Sequence, residues 1–175
     1  MLHIGCGGGM VRRISFLLVL ACTCHALRAE LPPDILELPP FERAVAVIKH
    51  FEGWHSARHY PYVGYGHKIL AGERLTAAIT ETQADSLLRR DLFKMCALFR
   101  HLGKDSLLVG CLAYQVGPYR LLGYGKMPKS TLVRKLEAGN RDIYKDFVAY
   151  RCYKGKPVSS IKWRRKKEFE LLFIP

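Results

Sequence analysis

The sequence predicts an α+β fold that is mostly α, and three observations support this prediction. Apolar residues recur at helical spacing behind recognisable caps through most of the chain after residue 40. Residues 63–67, Val-Gly-Tyr-Gly-His, carry the glycines of a tight β-hairpin. Residues 107–116 are apolar on nearly every side, which is typical of the central helix of a bundle. We therefore expect a small part with a hairpin, joined to a lobe made of helices.

The first predicted helix, residues 41–52, places Glu52 at its C-terminal end. Residues at four-, three- and four-residue steps share one stripe of this helix, and they are Phe41, Val45, Ile48 and Glu52. A glycine follows at once and ends the helix. A carboxyl group at a helix end on the core-facing stripe is either paired or held partly out of water, and both conditions are typical of catalytic acids. Glu52 opposite a compact hairpin is the arrangement expected for one wall of a sugar cleft.

The later helices are predicted from their caps. Thr80 and Gln83 form a capping box that opens a helix over residues 81–102. Three of the other predicted helices, each with the residue that caps it, are 107–116 (Asp105), 141–152 (Asn140) and 161–173 (Ser160). A further short helix is predicted over residues 130–138, ended by Gly139. Residues 154–157 are expected to form a loop.

Residues 1–29 are predicted to be a leader that is absent from the mature protein. Arg12 and Arg13 precede an apolar run at residues 14–21, and small residues follow at residues 22–29. A positive end, a short apolar middle and a small-residue exit are the parts of a signal peptide. The apolar run is too short to span a bilayer comfortably. We therefore expect an exported protein that acts in the periplasm or outside the cell.

The predicted leader indicates where the mature chain begins and how the sequence divides into parts. Cleavage is expected after Ala26 or Ala29, and Met10 is the expected true start because the residues before it fit no part of a leader. The segment around Cys22 also loosely resembles a lipoprotein signal, which would attach the mature chain to a membrane. The predicted parts are the leader (1–29), a proline-rich and extended lead-in (30–40) and one catalytic domain (41–175).

The charge of the chain points to anionic partners outside the cytoplasm. The whole sequence has a formal net charge of +13. Without the three leader arginines, 25 basic side chains remain against 15 acidic ones. An exported basic protein meets anionic wall polymers and lipid head groups rather than nucleic acid. A solvated basic surface would look the same, so charge alone does not choose a function.

Three cysteines remain after the leader, at positions 96, 111 and 152. All three fall in apolar-periodic segments, so buried thiols are expected, with at most one internal bridge. No Cys-x-x-Cys or Cys/His spacing suggests a metal site, and no cofactor is expected. We expect a monomer.

Five motifs in a fixed order carry a resemblance to a known family. They are Glu-Gly at 52–53, Gly-Tyr-Gly-His at 64–67, Thr-x-x-Gln-Ala followed by Asp-Leu at 80–92, Tyr-Gln-Val-Gly at 114–117, and the Arg-Arg…Glu…Leu-Phe helix at 161–173. Each motif alone is weak, but together and in this order they resemble the phage-type lysozymes and endolysins of glycoside hydrolase family 24. The resemblance covers nearly the whole mature chain and implies a lysozyme-like fold.

The resemblance implies a substrate and a role for several residues. The substrate would be peptidoglycan, cleaved between N-acetylmuramic acid and N-acetylglucosamine. Glu52 would be the general acid that protonates the leaving oxygen. His67 would pair with Asp91 and clasp the hairpin to the following helix, although a role as a base remains open. Either Arg164 or Arg165 would hold the Glu52 carboxylate. Gln115 would contact the substrate or the surroundings of Glu52, unless it is merely a satisfied polar residue.

The sequence departs from the family between Glu52 and His67. Family members usually place an Asp and then a Thr there, and these residues position the attacking water. This segment contains no Asp or Glu, and the next acid is Glu73. The groups that could orient water instead are Ser56, His55, His59, Tyr62 and Glu73. A neutral histidine can act as a base near pH 7.

Three other interpretations stay open at this stage. Glu52 could act alone, as in lytic transglycosylases, where the 6-hydroxyl of the sugar displaces the leaving group. The fold could be a wall-binding module without activity. A basic protein that disrupts membranes would work without Glu52 and would weaken in high salt, because salt screens its charges.

Overall fold

The structure, a computed structural model, describes residues 31–175. The leader, with Met10, Cys22, Ala26 and Ala29, lies outside the described residues. The helices are α1 (Pro40–Glu52), α2 (Glu81–Leu98), α3 (Ser106–Val116), α4 (Tyr119–Leu122), α5 (Thr131–Glu137), α6 (Tyr144–Val148) and α7 (Ser159–Leu172). Two antiparallel hairpins are formed by β1 (Tyr62–Val63) with β2 (His67–Lys68), and by β3 (Cys152–Tyr153) with β4 (Lys156–Pro157). Short 3₁₀ segments cover Ala57–His59 and Arg100–Asp105. The predicted α+β fold, mostly α, is confirmed.

Helix α1 begins and ends where the sequence indicates. Pro40 occupies its first turn, where the missing N–H costs nothing. Gly53 ends it with φ 64°, a conformation that favours glycine, and donates its N–H to the Lys49 carbonyl. Val45 and Ile48 are buried on the predicted stripe, so Glu52 at the end of that stripe lies against the body of the protein.

The hairpin β1–β2 packs directly on α2. Val63 pairs with His67 across the turn. Gly64 has φ 58°, and a β-carbon there would lie 2.6 Å from the Ala84 Cβ of α2. The lack of a side chain at Gly64 therefore allows the hairpin and the helix to approach closely.

Helix α3 is the centre of the core, as its apolar sequence predicts. Leu108, Val109 and Leu112 are fully buried, and α3 packs mainly against α2. The two helices approach closely at Gly110, where a β-carbon would lie 2.6 Å from the Cys96 Sγ. Burial raises the pKa of the Cys111 thiol. Cys152 is exposed on β3, so the expectation of three buried thiols is wrong at that position.

Three predicted helix ends differ from the structure. Helix α2 ends at Leu98, and a 3₁₀ segment replaces the rest of the predicted helix. Asp105 makes no cap hydrogen bond because its carboxylate accepts two hydrogen bonds from Arg141, at 2.8 and 3.0 Å. The Asn140 side chain accepts the Asp142 N–H, and α6 begins three residues later than predicted and ends early. Asp105 was thus drawn from its local role by a partner 36 residues away, whereas Asn140 bonds within its own turn.

Two further local predictions differ from the structure. Helix α7 begins at Ser159 without a side-chain cap, although Ser160 was expected to cap it. Residues 154–157, predicted as a loop, form the turn of β3–β4 and part of its strands.

The lead-in is not extended. Residues 33–38 form turns, with the Ile35 N–H donated to the Pro32 carbonyl at 3.1 Å. Ile35 is buried in a small cluster with Val47 and Phe51 of α1. The lead-in therefore anchors the outer face of α1. Within residues 31–175, no helix combines the length and apolar character needed to cross a membrane.

Candidate active site

Glu52 is half-buried at the end of α1 and holds a cation from α7. Its Oε1 accepts a hydrogen bond from the Arg164 Nη2 at 2.7 Å. The side chains of Glu52 and Arg164 are 22% and 13% exposed. One carboxylate oxygen is thus tied to a guanidinium. The other, Oε2, lies 3.8 Å from the position that a β-carbon on Gly66 would occupy.

A buried polar cluster on α7 and α3 stands behind this ion pair. Glu168 is fully buried, and its Oε1 accepts from the Arg164 Nε at 2.8 Å and from the Gln115 Nε2 at 2.6 Å. Its Oε2 lies 2.6 Å from the Arg165 Nη1. Arg165 also donates to the Gln115 side-chain oxygen. Glu168 is therefore the anion that holds both arginines in place.

The electrostatics of the two arginines differ. Burial opposes the charge on Arg164, but the Glu168 and Glu52 carboxylates outweigh burial and keep the pKa of Arg164 above its ordinary value. Burial lowers the pKa of Arg165 and outweighs the opposing effect of Glu168, the carboxylate that Arg165 contacts. Of the two arginines that the sequence offered, Arg164 is the one that contacts Glu52.

A cavity of about 180 Å³ opens beside the free oxygen of Glu52. We call it the Glu52 cavity, and its lining residues are Glu52, His55, Tyr62, Gly66, Tyr114 and Gln115. Gly66 has φ 97° and presents bare backbone between Glu52, His55 and Tyr114. Glu52 is the single carboxylate among the described residues that line this cavity.

His67 binds two carboxylates. Its Nδ1 lies 2.5 Å from the Asp91 Oδ2 and its Nε2 lies 2.8 Å from the Glu73 Oε2. Glu73 also accepts the Leu70 N–H, and these hydrogen bonds from Leu70 and His67 lower the pKa of Glu73 to about 2. The structure thus places His67 against Asp91, and it ties Glu73 to the same clasp. His67, Asp91 and Glu73 are absent from the lining of the Glu52 cavity.

The chain is similar to known proteins both in sequence and in fold. The family model described as phage lysozyme matches residues 49–168, which is more than half of the chain. The chain belongs to the phage lysozyme family. It is a lysozyme-type glycoside hydrolase whose substrate is peptidoglycan. No curated protein matches the sequence.

Solved structures show the same fold as this phage lysozyme. The endolysin from Escherichia coli O157:H7 phage FAHEc1 has 22% sequence identity and a TM-score of 0.56, over 82% of this chain and 93% of that one. The muramidase domain of SpmX from Asticaccaulis excentricus has 21% identity and a TM-score of 0.59, over 85% of this chain and all of that one.

The remaining residues predicted to position water or bind substrate fall into two groups, inside and outside the Glu52 cavity. Tyr62 lines the Glu52 cavity, although its side chain is largely exposed. Ser56 and His59 do not line it, and they bind each other instead, since the Ser56 N–H is donated to the His59 Nδ1 at 3.0 Å. Burial and the neighbouring His55 and Arg58 lower the pKa of His59.

Sequence reasoning missed two residues of the site. Tyr114 lines the Glu52 cavity and donates its hydroxyl to the Tyr65 carbonyl at 2.9 Å, which joins α3 to the hairpin. Burial raises the pKa of Tyr114. Glu168 organises the arginines. Both lie inside motifs of the family resemblance, and that was the signal that could have singled them out.

Proposed function

We propose that this chain is a muramidase that hydrolyses the β-1,4 bond between N-acetylmuramic acid and N-acetylglucosamine, with Glu52 as the general acid. One observation carries the proposal. Glu52 is half-buried with one oxygen on Arg164, and its other oxygen faces a cavity floored by the bare backbone of Gly66. A proton donor for a glycosidic oxygen needs such a fixed and partly desolvated place.

The proposed reaction assigns separate roles to Glu52 and Arg164. Protonated Glu52 donates its proton to the leaving oxygen as positive charge develops on the sugar ring. The Arg164 guanidinium, 2.7 Å away, then stabilises the carboxylate that remains. A positioned general acid contributes a rate factor of roughly 10²–10⁴. Gly66 allows the sugar to approach the backbone, where a side chain would occupy the space beside Glu52.

Lytic transglycosylation is a second candidate, and one observation favours it. The Glu52 cavity holds no second carboxylate among its described lining residues. An enzyme that uses the sugar's own 6-hydroxyl needs no group to activate water. The two reactions leave different ends on the product, since hydrolysis gives reducing ends and transglycosylation gives 1,6-anhydro ends.

The experiment compares the wild type with Glu52→Gln on purified peptidoglycan. The wild type should clear a peptidoglycan suspension and release muropeptides with reducing ends. Glu52→Gln should lower the clearing rate by at least about 10²-fold with the fold retained in circular dichroism. Glu170→Gln, at an exposed glutamate of α7, is the matched control and should clear normally. Equal clearing by Glu52→Gln and the wild type would refute the proposal.

We also propose that the protein acts in the periplasm or outside the cell. The pattern of charge and apolar residues at 10–29 supports this location. Cell fractionation tests it, and the mass of the mature chain distinguishes cleavage after Ala26 or Ala29 from a lipid on Cys22. Recovery of the uncleaved protein in the cytoplasm alone would contradict the proposal.

A further inference from the structure

We propose that His55 replaces the missing second carboxylate, and that its imidazole positions and deprotonates the water that attacks the sugar. This inference rests on the proposed muramidase function with Glu52 as the acid. Three features single out His55 among the water-orienting candidates: its place in the Glu52 cavity, its hydrogen bond to the hairpin, and a buried ring nitrogen without a hydrogen-bond partner.

The position of His55 suits a base that works opposite Glu52. Both side chains line the Glu52 cavity. Glu52 Oε2 and His55 Cε1 lie 3.8 and 3.9 Å from one point, the place of a β-carbon on Gly66. These two atoms are therefore at most about 8 Å apart, so the acid and the proposed base reach the same part of the cavity. The cavity, of about 180 Å³, has room for a water molecule.

The His55 ring is held by the hairpin and by its neighbours. The backbone N–H of His55 is donated to the Gly64 carbonyl at 2.7 Å, which ties the residue to the turn that carries Gly66. The ring packs against the rings of His59 and Tyr62, with centroids 5.0 and 6.3 Å away. The imidazole is thus fixed beside the cavity by the same hairpin that places Gly66 near Glu52.

The Nδ1 of His55 is buried without a hydrogen-bond partner. An unpaired buried polar group costs about 1–3 kcal/mol, so it needs an explanation in a folded protein. The titratable groups around the ring are Glu52, Tyr62 and Tyr114 in the cavity and His59 beside it. Because Nδ1 is out of reach of solvent, the nitrogen that takes the water proton in this proposal is Nε2.

Three other polar side chains near the cavity already have partners. The Tyr114 hydroxyl is donated to the Tyr65 carbonyl, and burial disfavours its ionised form. Gln115 binds Glu168 and Arg165. His59 accepts the Ser56 N–H through Nδ1 and lies outside the cavity lining.

The proposed step balances in protons and bonds. The water oxygen bonds to the anomeric carbon, and one water proton goes to the unprotonated ring nitrogen of His55. The bond from that carbon to the leaving oxygen breaks, and this oxygen takes the proton of Glu52. Solvent then returns the proton from the imidazolium of His55 to Glu52, which restores both groups. The new reducing end has inverted configuration.

The test measures turnover of purified peptidoglycan by the wild type and by variants of the full chain. His55→Ala should lower turnover by roughly 10²–10³-fold with unchanged binding to sacculi, since a general base contributes about that factor. Added imidazole should restore at least about tenfold of the loss in His55→Ala and leave the wild type unchanged. His55→Asp should recover part of the activity, with its optimum moved to lower pH, because a carboxylate titrates below an imidazole.

His101→Gln is the matched control, because this exposed histidine pairs with Glu137 and is not among the residues that line the Glu52 cavity. It should lose less than about threefold, since general-base factors are far larger. Turnover of His55→Ala within threefold of the wild type, or a loss that neither imidazole nor His55→Asp restores, would overturn the role of His55. Release of 1,6-anhydro ends by the wild type would overturn it as well, because no water attacks in that reaction.

The inference and the proposed function fail differently. Activity in Glu52→Gln would refute the proposed function. An inactive Glu52→Gln together with a fully active His55→Ala would leave Glu52 as the acid and remove only His55.

Discussion

Replacing Glu168 with glutamine tests whether the buried polar cluster behind Glu52 is as interdependent as its geometry indicates. Glu168 is fully buried and contacts Arg164, Arg165 and Gln115 at 2.6–2.8 Å. Glutamine has nearly the same volume, so packing is retained while the charge is lost. Arg165 is then left buried with no carboxylate beside it, and Arg164 keeps only Glu52.

The magnitude follows from the cost of a buried charge without its partner. Breaking a buried ion pair by removing one member costs about 3–5 kcal/mol. The glutamine keeps an oxygen that can accept from Arg164, so we expect the lower end of that range, about 3 kcal/mol. This is a large fraction of a domain's whole stability, which is typically about 5–15 kcal/mol.

The assay is urea unfolding of the wild type, Glu168→Gln and Glu170→Gln, with the free energy of unfolding taken from each midpoint. Glu170 is the control, because it forms an ion pair of 2.7 Å with Lys167 on the same helix but its side chain is 55% exposed. Its loss should cost no more than about 1 kcal/mol.

The comparison isolates burial, since both substitutions remove one carboxylate from one helix. Equal midpoint shifts for Glu168→Gln and Glu170→Gln would refute the reasoning, because burial would then have made no difference. A change in the slope of the unfolding curve would point to a change in the unfolded state instead.

Three further predictions follow from local features. Gly64→Ala should cost more than about 2 kcal/mol in unfolding free energy, because a left-handed φ strains the backbone and the new carbon meets Ala84 at 2.6 Å. Gly72→Ala is the control, with φ 89° and no atom within 4 Å, and should cost about 1 kcal/mol. Equal melting temperatures for the two variants would contradict this prediction. Glu73, with its pKa near 2 in the folded state against an ordinary 4.5, stabilises the fold above pH 4.5 and loses this effect as the pH falls toward 2. The stability difference between wild type and Glu73→Gln should therefore shrink across that window, and a constant difference in urea midpoints from pH 6 to 2.5 would argue against it. Thr80→Ala removes the oxygen that accepts the Gln83 N–H at 3.2 Å and should cost about 1 kcal/mol in thermal unfolding; an unchanged melting temperature would show that the cap is unimportant.

Some residues of the candidate site were predicted from the sequence, and others were not. The sequence placed Glu52 at a helix end, Gly64 and Gly66 in a hairpin, and His67 and Asp91 in elements that meet. It could not choose between Arg164 and Arg165, because adjacent residues on a helix point about 100° apart and the docking of α7 decides which one faces Glu52. Likewise, His55 and His59 look equivalent in the sequence, but only His55 lines the cavity.

By itself the sequence determined what depends on near neighbours. Helical periodicity, the capping box at Thr80, the glycine that ends α1 and the apolar α3 all rest on contacts a few residues apart, and all are found in the structure. Only the tertiary structure decided where side chains with several available partners went. The Asp105 carboxylate does not cap its helix and binds Arg141, 36 residues away. The Glu73 carboxylate binds His67 and does not line the Glu52 cavity. A charged side chain binds the oppositely charged group that lies nearest in the folded protein. For partners far apart in the sequence, the whole fold and not the local residue spacing decides which group that is.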